Sequence, residues 1–403
     1  MKKHRQLVMV IPLLALAILA CSYSFAFGTD TPSSTPSGKA TENPDRTNDL
    51  LPHTLLYLGR DNMGVIQVFR MARDGKTVTQ LTSEPTDVTE YDASPADGSI
   101  AYVVNNQLVY ANGSVRRVLV DGGTVDPNNQ FINRLSSPVF SIDGQTLAYG
   151  YNGLQMYSFT TEKSELLIKN QLGDVGNGIF LPKELYFPER YSPDGTKLLV
   201  ALGHWEQMPS HAVYYPGTNT LVRYKEVKDY IYCCSFHGGP VWSPDSSSFY
   251  GVASAHDFAY KSGEIWKIDA TNGDVTRVLR QEAATSFNLP EEFNLPKELY
   301  LAPDGQLYFF FGSYTEASGL FDAPVLEMVR SASDGVTNRT VLRNENFVLM
   351  NEALWAPDAS FVIVAMALDR SANQGGSLGL YPTDGQQSMV QLAPFGQHMK
   401  WGP

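Results

Sequence analysis

The sequence predicts an all-β fold, a closed ring of four-stranded units, and three observations carry that prediction. A short turn motif recurs six times, each copy leads into a nearly continuous apolar run, and the composition is aromatic and sparingly charged. Of 403 residues 43% are hydrophobic and 18% charged, with 20 Phe and 21 Tyr. Such a chain can bury a sizeable core, which excludes disorder or a coiled coil for its bulk. Thirty Lys and Arg stand against 42 Asp and Glu, a net charge of −12. With no local basic stripe, that balance repels a phosphate backbone, and no nucleic-acid partner is expected.

The motif runs Tyr91-Asp92-Ala93-Ser94-Pro95-Ala96-Asp97-Gly98, Phe140-Ser141-Ile142-Asp143-Gly144, Tyr191-Ser192-Pro193-Asp194-Gly195 and Trp242-Ser243-Pro244-Asp245-Ser246, then Leu301-Ala302-Pro303-Asp304-Gly305 and Trp355-Ala356-Pro357-Asp358-Ala359. Markers at 95, 142, 193, 244, 303 and 357 lie 47 to 59 residues apart, the period of propeller blades with variable loops. Pro presets φ at the first corner of a tight turn, Asp bonds its own backbone, and Gly takes the positive φ that returns the chain to a strand. The runs that follow, such as Lys197–Ala201, Leu307–Phe311 and Phe361–Ala365, suit strands covered on both faces. A third strand, Glu264–Asp269, an Asn272-Gly273 turn and a fourth strand, Val275–Leu279, complete a unit of four.

These units resemble the repeats of TolB-type, WD-like β-propellers, which also occur as amino-terminal domains in the dipeptidyl-peptidase IV family. The resemblance covers residues 53–403. Two copies depart from the pattern, with Ile142 in place of Pro and Ala96 inserted before Asp97. At the far end His398–Pro403 looks like the first strand of a further unit, whose other three strands, Thr54–Leu58, Ile66–Arg70 and Val78–Thr82, stand at the start of the fold. The prediction is therefore a seven-bladed β-propeller closed by both termini, where TolB-like propellers usually have six blades. Closure leaves only short protected edges.

Ahead of the ring, Lys2, Lys3 and Arg5 precede an apolar run from Leu7 to Ala20. The run is too short to span a bilayer core and contains Pro12, as an export signal would. Its end, Ile18-Leu19-Ala20-Cys21, resembles the lipobox of bacterial lipoproteins, which implies a signal peptide at 1–20, lipid attachment at Cys21 and an extracytoplasmic, membrane-anchored location in the cell envelope. Cleavage after Ser24-Phe25-Ala26 is the alternative and would release a secreted soluble protein. Residues 21–52 are expected to be a flexible Ser/Thr/Pro linker, since Gly28–Asp49 offers only Ala40 as an apolar side chain.

No H-E-x-x-H, phosphate loop or EF-hand spacing occurs, and no cofactor is expected. In the dipeptidyl-peptidase family a hydrolase domain follows the propeller; no such domain is expected here. Ser141-Ile142-Asp143-Gly144 is also one residue short of a sialidase Asp-box. One constellation is left. His204, His211 and His256 are assigned to loops joining second to third strands, and Cys233, Cys234 and His237 to a loop joining neighbouring units, all on one face. They form a candidate binding face where imidazole and thiolate could hold a transition metal, or merely polar loop residues. Cys233 and Cys234 could pair with each other, stay free as small apolar residues, or bind metal. The leading expectation is a non-enzymatic envelope lipoprotein, a monomeric propeller binding an envelope protein or small ligand. The alternative is a propeller lyase or hydrolase acting on a saccharide or peptide through the histidine sector, although the dense histidine pattern of oligogalacturonate lyases is lacking. Leu181–Tyr186 and Leu295–Tyr300 repeat one hexapeptide at different distances from the motif and are taken as coincidence.

Overall fold

Each turn motif closes as its residue types require. The Gly144 N–H donates to the Ser141 carbonyl at 2.9 Å and the Gly195 N–H to Ser192 at 2.8 Å, with the glycines at φ of 68° and 71°. The Asp of the motif accepts a serine hydroxyl, Ser141 on Asp143 at 2.6 Å and Ser243 on Asp245 at 2.6 Å. Those hydroxyl bonds hold both carboxyls below the usual carboxylate range. Ile142 does not disturb its turn, because the hydrogen bonds come from Ser, Asp and Gly rather than from Pro.

The computed structural model describes residues 49–403 apart from 128, 205–209, 229, 233–238, 256–262, 282–292, 315–324 and 370. Within them the protein is nearly all β. We number its units by their turns. The first unit pairs Glu90–Ala93, Ile100–Val104, Gln107–Asn112 and Val115–Asp121 in that order, and the second pairs Ser136–Phe140, Thr146–Gly150, Gly153–Ser158 and Lys163–Lys169. The third, fourth and fifth units follow the same antiparallel order, from Phe180–Tyr191 to Thr220–Arg223, from Tyr230–Tyr232 and Val241–Trp242 to Val275–Leu279, and from Phe293–Leu301 to Thr340–Val341. This succession of four-stranded sheets is that of a β-propeller. The third unit carries one more strand, Gln171–Asp174, a hairpin onto the first part of Phe180–Tyr191.

The sixth turn belongs to a seven-stranded sheet in which Met350–Trp355, Phe361–Met366 and Gly376–Pro382 are followed by Val390–Trp401, Leu55–Arg60, Ile66–Met71 and Val78–Gln80. Val390–Trp401 serves two partners. Residues up to Gly396 pair with Gly376–Leu380, while Gln397, Lys400 and Trp401 pair with Leu58, Leu56 and Leu55. The last turn strand thus lies beside the first strand of the described chain.

The apolar runs are buried on both faces because successive side chains of a strand point to opposite sides. Phe309 packs with Ile265 and Leu299 of the fourth and fifth units, whereas its neighbour Phe310 packs with Trp355 and Val364 of the sixth. Each ring so buried contributes roughly 1.5–3 kcal/mol. The core clusters bridge neighbouring sheets in this way, as Leu56, Leu58 and Val68 do against Tyr91 and Tyr102, except for one inside the seven-stranded sheet that joins Leu55 and Met71 to Ile363 and Leu378. The repeated hexapeptides both fall on first strands, Phe180–Tyr191 and Phe293–Leu301, but out of register, so Lys183 and Glu184 sit nearer the rim than Lys297 and Glu298.

The chain enters at the turn side. The backbone N–H groups of Leu50 and Leu51 donate to the Arg73 carbonyl at 2.8 and 2.9 Å, and Asp49 pairs with the Arg73 guanidinium at 3.0 Å.

Candidate functional site

First strands of neighbouring units touch one another, as Ser136–Phe140 does with both Glu90–Ala93 and Phe180–Tyr191, and form the inner wall of the propeller. Their fifth residues before the motif marker are Glu90, Ser137, Pro188, Gly239, Glu298, Glu352 and His398. Three of these, Ser137, Glu298 and His398, adopt φ of 52–54°, and the pairing slips at Ser136/Val139, Lys297/Tyr300 and Leu56/Leu58. A bulge of this kind leaves backbone N–H groups outside the ladder. The carboxylates of the preceding unit take them up. Glu90 accepts the Ser137 N–H and Asp92 the Phe140 N–H at 2.7 Å; Glu352 accepts the N–H groups of His398, at 2.7 Å, and Met399.

Burial dominates the electrostatics of this inner wall. It lifts the Glu298 carboxyl to about 7 against the opposing pull of Lys297, and lifts Glu352 to about 8, with the Glu298 charge adding to the rise. Glu90 is raised by burial too. The His398 imidazole is pushed down to about 4, by burial first and by Lys400 second. Lys400 itself binds Asp92 in a buried pair.

Where the first, second and third units meet the terminal strand, on the side away from the turn motifs, the wall opens into a cavity of about 270 Å³. Its position follows from topology: it takes in the Gly150–Gly153 connection between second and third strands and the upper ends of the first strands. Phe131, Leu185 and Phe187 give it an apolar side, and Asn152, Asn170 and Gln397 an amide side. Asn170 is fixed in place, accepting from the Tyr186 N–H and donating to the Phe131 carbonyl, both at 3.2 Å. Arg134, Glu90 and His398 are its ionisable groups, with Asp87 at the rim.

Of the predicted histidine face, His204 and His211 lie among the described residues. His204 follows Leu198–Gly203 as expected and its Nδ1 lies 2.7 Å from the Lys183 carbonyl. His211 corrects the loop assignment: it is the second residue of the strand Ser210–Tyr215, opposite Ala201, and is 4% exposed. Its Nε2 lies 3.1 Å from Glu189 Oε1, and that partner is what lets a polar ring extend the strand beyond the apolar run Ala212–Tyr215. Cys233, Cys234, His237 and His256 lie outside the described residues, as does Cys21. The cavity was missed because it draws on four units. The inner carboxylates had one signal in the sequence, a glutamate recurring five residues before the marker.

No family model matches the chain, and no curated protein matches it in sequence. Similar solved structures include prolyl oligopeptidase B from Galerina marginata, with 12% identity and a TM-score of 0.54 over 96% of this chain and 52% of that one. A puromycin hydrolase is similar at 11% identity and a TM-score of 0.53, over 92% of this chain and 57% of that one. TolB from Acinetobacter baumannii follows at 13% identity and 0.41, over 84% and 79%. The chain spans about half the length of the two hydrolytic proteins, and what it shares with them is the fold.

Proposed function

We propose that this chain is a non-enzymatic binding scaffold of the bacterial cell envelope, anchored by lipid at Cys21, whose ring takes a ligand at the mouth of its centre. The cavity framed by Phe131, Phe187, Asn152 and Arg134 carries this reading, because a concave, mostly apolar site with a few convergent polar groups is where ligands bind. A ring of seven blades closed by both termini is the frame. Its support is the division of Val390–Trp401 between two partners and the apolar cluster joining Leu56 and Leu58 to Tyr91.

The test places a photoreactive benzoylphenylalanine at Gln130, on the cavity, or at Asp304, in a turn of the opposite face, in intact cells. Adducts from position 130 and none from 304 are the expected result. Adducts from neither, or equally from both, would overturn the assignment of the binding face. For the anchor, a Cys21→Ala chain should leave the membrane fraction; unchanged fractionation would end that part of the proposal.

A further inference from the structure

One wall of the cavity is held differently from the rest of the ring. Gln130, Phe131 and Arg134, which line it, belong to the connection between the first and second units, described at 122–127 and 129–135. Its short helix Gln130–Asn133 contains no buried residue, and among its described residues only Leu135 belongs to an apolar core cluster. Hydrogen bonds of asparagine side chains fix it instead, and they gather at two places. At the base, Asn106, in the tight turn between Ile100–Val104 and Gln107–Asn112, binds both ends. Its carbonyl accepts the Gly122 N–H at 3.0 Å, its Nδ2 donates to the Gly123 and Asn133 carbonyls at 2.9 and 2.8 Å, and its Oδ1 accepts the Leu135 N–H at 2.8 Å. A Cβ on Gly122 would lie 2.4 Å from that Nδ2, so the joint requires glycine.

At the far end, Asn129 clasps the hairpin of the third unit. Its Oδ1 accepts the Phe180 N–H and its Nδ2 donates to the Gly178 carbonyl, both at 3.1 Å. Asn170 adds a bond to the Phe131 carbonyl at 3.2 Å. A loop of this size whose ends meet is an Ω-loop, and two glycines at its base are where a swing can turn. Water replaces such amide bonds with little net loss, whereas the units of the ring are held by buried apolar area. Segments held only by exchangeable bonds open locally while the rest of the fold stays closed. We propose that this connection is a hinged flap, turning at Asn106 and latched at Asn129, whose release widens the cavity at the channel mouth. The motion belongs to the chain itself; its service as a gate for ligand rests on the mouth being the binding face.

Hydrogen–deuterium exchange of the full mature chain, read by peptide mass spectrometry, tests the flap. The amides of 129–135 and 178–186 should exchange faster than those of Thr146–Gly150. Asn129→Ala should speed exchange in both segments by about three- to tenfold, with Thr146–Gly150 and the melting curve unchanged, and Asn170→Ala should act in the same direction. For the gate, a Leu185→Cys chain places a thiol on the cavity wall. Its alkylation by iodoacetamide, read at position 185, should quicken by a similar factor when Asn129→Ala is added. Exchange that is unchanged in Asn129→Ala, or raised equally in Thr146–Gly150, would overturn the flap, as would alkylation at position 185 that does not quicken. If photoadducts at position 130 form in that case, the scaffold reading stands and only the flap falls; a flap that opens while no adducts form leaves the reverse.

Discussion

Two junctions between neighbouring units, built from the same turn and the same kind of apolar cluster, differ sharply at the ring's inner wall. From the fifth unit round to the first, polar staples cross every seam. Trp355 Nε1 donates to the Glu298 carbonyl at 2.9 Å, Trp401 Nε1 to the Trp355 carbonyl at 2.8 Å, Glu352 holds two N–H groups of the terminal strand, and the Tyr91 hydroxyl donates to the His398 carbonyl at 2.7 Å. Between the third and fourth units, Glu189 Oε2 and Trp242 Nε1 are buried with no hydrogen-bond partner among the described residues. Among the described residues that seam is joined by its apolar cluster and by bonds farther out, such as the Tyr215 hydroxyl to the Ala270 carbonyl at 2.9 Å. The repeat therefore fixes the blade, while residues outside the motif decide how firmly one blade grips the next. Several of these grips lie along Val390–Trp401, which pairs with both Gly376–Pro382 and Leu55–Arg60.

Removing residues 397–403 should have the largest effect, since it takes away the staples of two junctions and exposes the ladder edge of Leu55–Arg60. Loss of a single cooperative melting transition, or aggregation on purification, is expected; a truncated chain that melts like the intact one would break the comparison. Glu352→Ala should cost about 2–6 kcal/mol in urea denaturation, because two buried N–H groups lose their acceptor at roughly 1–3 kcal/mol each.

The same carboxyls make stability depend on pH. Glu298 and Glu352 titrate at about 7 and 8 in the fold, above their unfolded values, so the folded state binds more protons and stability falls as pH rises through those values. His398, depressed to about 4, acts only below its unfolded value near 6.5, where it favours the fold less as pH drops. The urea midpoint should therefore fall between pH 6.5 and 8.5, and a Glu298→Gln, Glu352→Gln chain should flatten that slope.

His211→Ala should cost about 1–3 kcal/mol by leaving the Glu189 carboxylate without its imidazole, against less than about 0.5 kcal/mol for a surface loop residue. Smallest is the difference between two tryptophans. Trp355→Phe and Trp242→Phe lose similar volume, but only the first breaks a hydrogen bond, so it should be worse by about 1 kcal/mol. Equal losses would mean that the inner staples contribute little.

Much of the blade was legible because its determinants are local. Ser192, Pro193, Asp194 and Gly195 set one turn among themselves, and Glu264–Asp269 and Val275–Leu279 occupy the residues read as a third and a fourth strand on either side of the Asn272-Gly273 turn. The wall of the ring was not legible. Glu352 matters through His398 and Met399, some 46 residues away, and no local pattern pairs them. His211 misled for a related reason: its strand begins with a buried imidazole that only Glu189, 22 residues earlier, makes tolerable. The cavity depends on loops of unequal length from several units, which periodicity averages out.

The hold of Arg73 on Asp49, Leu50 and Leu51 gives the molecule an up and a down. The described chain starts on the face of the turn motifs, beside the Gly402 N–H bonded to the Thr54 carbonyl at 2.8 Å, while the cavity opens on the other face. A lipid at Cys21 would then tie the disc to the bilayer from its turn face. The mouth would look away from the membrane, one strand length or about 20 Å farther out than the point of attachment. A ligand arriving from the aqueous compartment would meet the open mouth directly, whereas one embedded in the anchoring leaflet would face the closed turns.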